Sequence, residues 1–406
     1  MPPNLGDSGR GRRDTRMPSE PPPSSRFSLS IRGRALLPIV QGGMGVGISA
    51  HRLAGTVARE GAFGTISSVD LRRHHPDLME RTRHCRDRAT IDAANLVALD
   101  REVKAALQLA AGRGMVGVNV MRAVSSYAEY VRQACESGAQ AIVVGAGLPL
   151  DLPDLTSAFP GVALIPILSD ARGVQVVLRK WERRKRLPDA IVLEHPGLAG
   201  GHLGAGSIDE LRDRRFDFER TIPATLEVFR RMGLAEDAIP LIPAGGINSA
   251  ARVRALFALG ARAVQLGTAF AVTEEGDAAP EFKHVLADAD PSDLVEFVSV
   301  AGLPARAVRT PWLENYLRHL PAMQAVAHAK KRCTLYFDCL ATCGLRDGIA
   351  HIGQFCIDTQ LAAALRGDVK RGLFFRGAAP LPFGSQIRPV RDLIAHLLGG
   401  STPTTT

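Results

Sequence analysis

The sequence predicts an α/β fold, a TIM-type (β/α)8 barrel with a helical, cysteine-containing C-terminal extension, on three observations. Eight short apolar runs alternate with amphipathic stretches of helical period, glycine-rich loops follow several of those runs, and after Thr268 the alternation stops. A chain of 406 residues is longer than one ordinary domain but accommodates such a barrel with an appendage. Periodicity by itself does not close a barrel, so a doubly wound sheet stays open at this point.

Residues 1–26 are rich in Pro, Ser and Arg and lack the apolar core of a signal peptide, which predicts a disordered tail, with Met17 as an alternative start. The barrel is expected over 27–272. Its strands are expected at Leu36–Gln41, Ala62–Ser67, Met115–Val120, Ala141–Gly145, Ala163–Leu168, Ala190–Glu194, Leu241–Ala244 and Ala263–Leu266, each apolar and rich in β-branched residues. Helices are expected at Leu53–Glu60, Ala93–Ala111, Ser126–Glu136, Gly173–Arg184, Ile222–Met232 and Ala250–Leu259, the last after a capping Asn248-Ser249. The interval Ser68–Gly114 is too long for one βα unit and predicts an added helical segment there. Residues 273–398 read as a helical extension or lid. It is mixed in charge over 274–330, carries four of the six cysteines over 331–376, and closes with an amphipathic helix at Arg388–Leu398; 399–406 read as a frayed tail.

The net charge of +9 comes largely from the first 26 residues and from Arg179–Arg186, the solvated end of a helix. No aromatic-studded basic face accompanies it, so nucleic acid is not expected as a partner. No apolar run is long enough to span a membrane. Cysteines without an export signal point to a cytoplasmic chain with reduced thiols or bound metal.

The chemistry is expected in the loop Glu194-His195-Pro196-Gly197-Leu198-Ala199-Gly200-Gly201-His202, which follows an apolar strand and ends on an imidazole. His202 has the proton affinity of a general base near neutral pH; its bland reading is a packed histidine. Gly42–Gly47 form a second strand-end glycine loop that fits G-x-G-x-x-G poorly, against a Rossmann site. Gly245-Gly246 and Gly267-Thr268 end the seventh and eighth expected strands, where barrels commonly hold a phosphate on backbone amides. Flavin mononucleotide and sugar phosphates both carry one. Asn119, polar inside an apolar strand, is either a structural hydrogen-bonding residue or an amide facing a flavin. Cys333, Cys339, Cys343 and Cys356 could hold zinc or an iron–sulfur cluster, with Cys339 and Cys343 on one helical face. Their spacing is not C-x2-C, and small buried thiols are the favoured reading.

Taken together, these residues resemble the nitronate monooxygenase (2-nitropropane dioxygenase-like) flavoproteins, relatives of the flavin-dependent enoyl-ACP reductases. The matching motifs are QGGMGVG at 41–47, GVNVM at 117–121, GAGLPLDLP at 145–153, LAGGHLG at 198–204, AGGI at 244–247, QLGT at 265–268, TEEGDA at 273–278 and GLPARA at 302–307, with Phe355-Cys356-Ile357 and Gly372–Phe375 resembling the tail of a bacterial subgroup. The resemblance implies a TIM barrel with non-covalent FMN at its C-terminal face. Gly43, Met44 and Gly45 would pass along the flavin, Asn119 would meet its ring, and Gly200 and Gly201 would line the isoalloxazine side. Gly245, Gly246, Gln265, Gly267 and Thr268 would take the ribityl phosphate, and His202 matches the family's base. The implied activity is oxidation of alkyl nitronates or nitroalkanes by O2 to a carbonyl compound and nitrite. The alternative is an NAD(P)H-dependent flavin reductase, acting for instance on an enoyl thioester. A small-molecule substrate and O2 are then the partners, and a homodimer is compatible with both. The chain departs from the family at Leu198, where an acidic residue is common, and at Gly276, where a Cys is usual.

Overall fold

The computed structural model describes residues 28–202, 204–330 and 333–400; the expected tail at 1–26, and residues 401–406 of the one expected at 399–406, lie outside the described residues. The strands, in chain order, are β1 (Leu29–Ile31), β2 (Arg34–Leu36), β3 (Ile39–Gln41), β4 (Phe63–Ser67), β5 (Met115–Met121), β6 (Ala141–Gly145), β7 (Ala163–Leu168), β8 (Ile191–Glu194), β9 (Gly201–His202), β10 (Leu241–Ala244), β11 (Val264–Leu266), β12 (Leu294–Val298) and β13 (Pro304–Val308). Eight of them close into a parallel barrel in the order β3-β4-β5-β6-β7-β8-β10-β11, with β11 pairing back onto β3. A barrel, and not a doubly wound sheet, is therefore the fold.

Alternation along each strand separates two apolar sets. Val40, Phe63, Met115, Val143, Ile165, Val192, Ile242 and Ala263 fill the interior, while Ile39, Ile66, Val118, Ile142, Leu164, Ile191, Leu241 and Val264 pack in the cluster that includes the surrounding helices. The helices fall where the periodicity places them: His51–Arg59, Arg88–Ala110, Tyr127–Glu136, Ala171–Glu182, Phe218–Arg231 and Ala250–Ala258. Side chains of Asp87, Asp170 and Ser249 accept backbone N–H groups at three of their starts, satisfying amides that an N-terminal turn leaves without helical partners. The long interval after β4 holds a 3-10 turn, Leu71–His74, and a helix, Pro76–Thr82.

Two expectations need correction. The run Leu36–Gln41 is not one strand: Leu36 ends β2, and β3 starts at Ile39 beyond Pro38, whose ring nitrogen has no proton to give a ladder. Ahead of it, β1 and β2 form an antiparallel hairpin turned by Arg32 and Gly33, both at positive φ (48° and 75°), the geometry that suits a two-residue hairpin. Leu29, Ile31 and Leu36 join the interior apolar set. Arg34 reaches the carbonyl of Gly114 and Arg32 that of Pro160, both just ahead of barrel strands. The hairpin thus stops the N-terminal end of the barrel.

The extension is also not wholly helical. Leu294–Val298 and Pro304–Val308 pair antiparallel across a turn containing Gly302 at φ 77°. On the other edge of β13, Ala305 pairs with His202 and Arg306 with Gly201. Charge in this region masked a short β-rich pattern, Leu-Val-Glu-Phe-Val, that tertiary pairing turns into strand. Helices Pro280–Ala287, Pro311–Ala325, Ile357–Leu365 and Val390–Leu398 supply the helical remainder.

Candidate active site

The C-terminal ends of the barrel strands open into a cavity of about 290 Å³. Its wall includes Gly43, Met44, Gly45, Asn119, Gly200, Gly201, His202, Gly245, Gly246, Gln265, Gly267 and Thr268, so every residue singled out for flavin binding or catalysis borders one space. Extension residues complete it, among them Ile357, Asp358, Leu361, Leu373, Phe375 and Gly377.

Close backbone packing explains two of the glycines. A Cβ on Gly43 would stand 2.3 Å from the Asn119 Cβ, and one on Gly200 would stand 2.5 Å from the backbone carbon of Arg376. The loop after β3 approaches strand β5, and the loop after β8 approaches the extension, this closely only because neither residue has a side chain. Asn119 makes the structural hydrogen bond of its first reading, its Nδ2 donating to Val143 O at 3.2 Å, and the residue borders the cavity. Gln265 follows interior Ala263 by two positions, which aims it up the barrel axis beside Gly42. The Thr268 hydroxyl accepts the N–H of Gly377 at 3.0 Å, tying the loop after β11 to the extension.

His202 sits on β9, at the seam between barrel and extension. Its ring is tilted against Phe375, with centroids 5.6 Å apart. Its Nε2 is buried with no hydrogen-bond partner, and burial pushes the imidazole down to about 4, so it is neutral at physiological pH. His195, in the same loop, is occupied structurally: its Nδ1 accepts the Gly197 N–H at 3.1 Å, and its Nε2 lies 3.6 Å from Asp217.

Three residues matter here that lie within the quoted motifs and loop but were given no role by them. Asp277 accepts the N–H groups of Ala50, Arg52 and Leu53 at 2.8, 3.2 and 3.1 Å, which fixes the helix start directly after the glycine loop at 42–47. The buried Arg306 pairs with Glu296 at 2.7 Å and donates to the carbonyl of Ala199, holding the His202 loop from beneath. Glu194 ends β8 in the cavity wall, and burial pushes its carboxyl up to about 7. Its place two residues after interior Val192 was the signal available in the sequence.

Of the two departures, Gly276 is enforced by space, since a Cβ there would lie 2.6 Å from Ala271 O. Leu198 packs on Gly246, making that stretch of wall apolar. The cysteines differ from expectation. Cys339 lies outside any helix, and Cys343 precedes the four-residue helix Gly344–Asp347, so they do not share a helical face. Among the described residues no three His, Cys, Asp or Glu side chains group closely enough to hold a metal ion. No described helix is long and apolar enough to cross a membrane.

The nitronate monooxygenase family model matches residues 33–400. The chain belongs to the nitronate monooxygenase family. A probable nitronate monooxygenase of Bacillus subtilis (strain 168) is 28% identical over 292 residues, which cover 68% of this chain and 78% of that protein. Among solved structures, FabK from Thermotoga maritima superposes with a TM-score of 0.61 at 22% identity, covering 89% of this chain and 91% of that one. Nitroalkane oxidase from Streptomyces ansochromogenes gives a TM-score of 0.59 at 20% identity, covering 91% and 97%. At those identities the superpositions speak for the barrel fold, and family membership makes this nitronate monooxygenase relative a flavin-dependent oxidoreductase.

Proposed function

We propose that this family member binds FMN in the cavity and oxidises alkyl nitronates, or the nitroalkanes that give them, with O2 to a carbonyl compound and nitrite, His202 acting as the base. The observation that carries the reading is a neutral imidazole, its Nε2 without a protein partner, in the wall of a cavity rimmed by glycine backbone. The residues fit a flavin. Gly245, Gly246 and Gly267 border the cavity without side chains of their own, which leaves backbone close to where a phosphate would sit, and Asn119 and Gln265 bring amide groups to the mouth for a ring edge.

His202 enters as a proton acceptor. A substrate anion forming beside it would raise its proton affinity from the ligand-free value, because an opposite charge nearby favours imidazolium. Arg306 and the β13 pairing hold the ring in place through the chemistry. Leu198, Ile357, Leu361 and Leu373 exclude water and suit an alkyl chain. Bound FMN would supply the redox step, taking electrons from the nitronate and passing them to O2.

The test is turnover of ethyl nitronate against neutral nitroethane, with oxygen uptake and nitrite measured on protein whose FMN content is known. Wild type should use both, and His202→Ala should keep FMN and nitronate turnover while losing nitroethane turnover. Equal loss on both substrates refutes the base role. A colourless protein that FMN does not reconstitute refutes the cofactor, and rapid anaerobic bleaching by NADH shifts the reading to the reductase.

A further inference from the structure

One side of the cavity wall holds neither the expected flavin contacts nor His202. Val69, Val124, Leu340, Ile357, Leu361 and Leu373 are buried, and all border the space. Val69 follows β4 and Val124 follows β5, neighbouring strands whose ends are joined where Ser68 N donates to Asn119 O at 3.1 Å. In the closed barrel β4 lies halfway round from β8, the strand that leads into the His202 loop. The extension covers this sector on main-chain bonds. Val124 and Leu340 form an antiparallel bridge, flanked by Ser125 N to Cys339 O at 3.3 Å and Ala341 N to Ala123 O at 2.8 Å. Ile357 and Leu361 stand one turn apart on the helix Ile357–Leu365, and Leu373 N bonds Gln360 O of that helix at 3.1 Å. Asp358 fixes the same helix to the loop after β4 by pairing with Arg73, which also pairs with Asp70 at 2.5 Å. Apolar side chains from two barrel loops and three stretches of the extension are therefore in position before any ligand enters, which spares binding the cost of ordering them.

Charge is the second observation. Among the described residues that border the cavity there is no Lys or Arg. Of its carboxylates, Asp358 is matched by Arg73 from behind the wall, and Leu198 makes the stretch beside Gly246 apolar where an acidic residue would otherwise stand. A carboxylate or phosphate on the body of a substrate would give up its hydration there and meet no counter-ion. An alkyl or alicyclic body gains on entering, at each carbon it withdraws from water.

We propose that the wall formed by Val69, Val124, Leu340, Ile357, Leu361 and Leu373 is a tail pocket, and that it selects neutral nitro compounds with a long alkyl or alicyclic body over short ones and over those ending in a carboxylate. The choice of a nitro head group rests on the function proposed above; the pocket itself is tested apart from it. On the FMN-loaded full chain, kcat/KM is measured for ethyl, butyl, hexyl and octyl nitronates and for a hexyl nitronate bearing a terminal carboxylate. In parallel, butanol, hexanol and octanol, which the flavin does not oxidise, are titrated by calorimetry. Both series should strengthen about threefold to fourfold per added methylene, and the carboxylate-bearing nitronate should fall at least about tenfold below its plain hexyl counterpart. Val124→Phe, which fills the pocket, should flatten both series. A flat alcohol series overturns the pocket, whatever the turnover. A flat nitronate series beside a steep alcohol series, or a carboxylate-bearing substrate as good as the plain one, overturns its assignment to the substrate's body. A steep alcohol series with no nitronate turned over supports the pocket and refutes the head group instead. The wild-type series decide the matter even where Val124→Phe fails to fold.

Discussion

Replacing His202 with Leu should flatten the acid limb of the stability profile. In the unfolded chain the imidazole takes up a proton near its ordinary value of about 6.5, whereas in the native protein burial delays protonation to about 4. Above the unfolded value both states are neutral there and the group contributes nothing. As pH falls through the interval, the unfolded state binds the proton first, so stability is lost at about 1.4 kcal/mol per pH unit. The accumulated loss is about 3 kcal/mol below the native value and about 2.5 kcal/mol at roughly pH 4.5. His195 is shifted in the same direction by burial, and Glu194 and Asp277 are pushed up by it; these are common to both proteins and cancel in the comparison. The assay is urea unfolding of wild type and His202→Leu at neutral pH and near pH 4.5. Wild type should lose about 2.5 kcal/mol more than the variant between the two conditions. Equal losses would mean that the ring is solvated in the native state, and the picture of a dry, neutral base would fail with it.

Asp277→Ala removes the acceptor of three N–H groups at the start of the helix His51–Arg59. It should cost about 2–4 kcal/mol by thermal or urea unfolding and weaken FMN retention, since the loop at 42–47 leads directly into that helix. Arg306→Met leaves Glu296 with Arg212 alone, at 3.2 Å, and frees the buried Ala199 carbonyl; it should destabilise by about 1–3 kcal/mol and lower turnover by more than any loss of FMN, as seen by kcat per bound flavin. Gly43→Ala forces a Cβ into Asn119 and should cost about 1–3 kcal/mol with loss of flavin by absorbance. Gly161→Ala, whose added carbon meets nothing within 4 Å, should leave melting temperature and flavin content unchanged.

The barrel was legible because its strands are apolar on both faces and its helices are periodic. Ala141–Gly145, Ala163–Leu168 and Leu241–Ala244 fall on the expected residues, and helix starts that slipped did so toward caps such as Asp87 and Asp170. The mouth of the barrel was legible for a different reason: glycines at strand ends announce close backbone approach, and a polar Asn119 or Gln265 within an apolar run announces a group turned to the axis. What stayed hidden depends on partners far apart in sequence. Arg306 reads as one more charged residue until β13 brings it under Ala199, and Asp277 reads as part of a polar loop until its carboxylate meets Ala50. The β12–β13 pair gave only a weak signal, the β-rich Leu294–Val298, because the charges at Glu296 and Arg306 masked it; these five-residue segments become strands by pairing with each other and with Gly201–His202.

That last pairing makes the extension an inseparable share of the enzyme. The barrel supplies the socket, but the residue expected to move the proton is laced by main-chain ladder bonds to a segment about a hundred positions downstream. A version trimmed at residue 272 would keep every barrel strand and forfeit the rail on which the imidazole is mounted. Substitutions along 294–308 are therefore felt at His202 without a single change in the barrel.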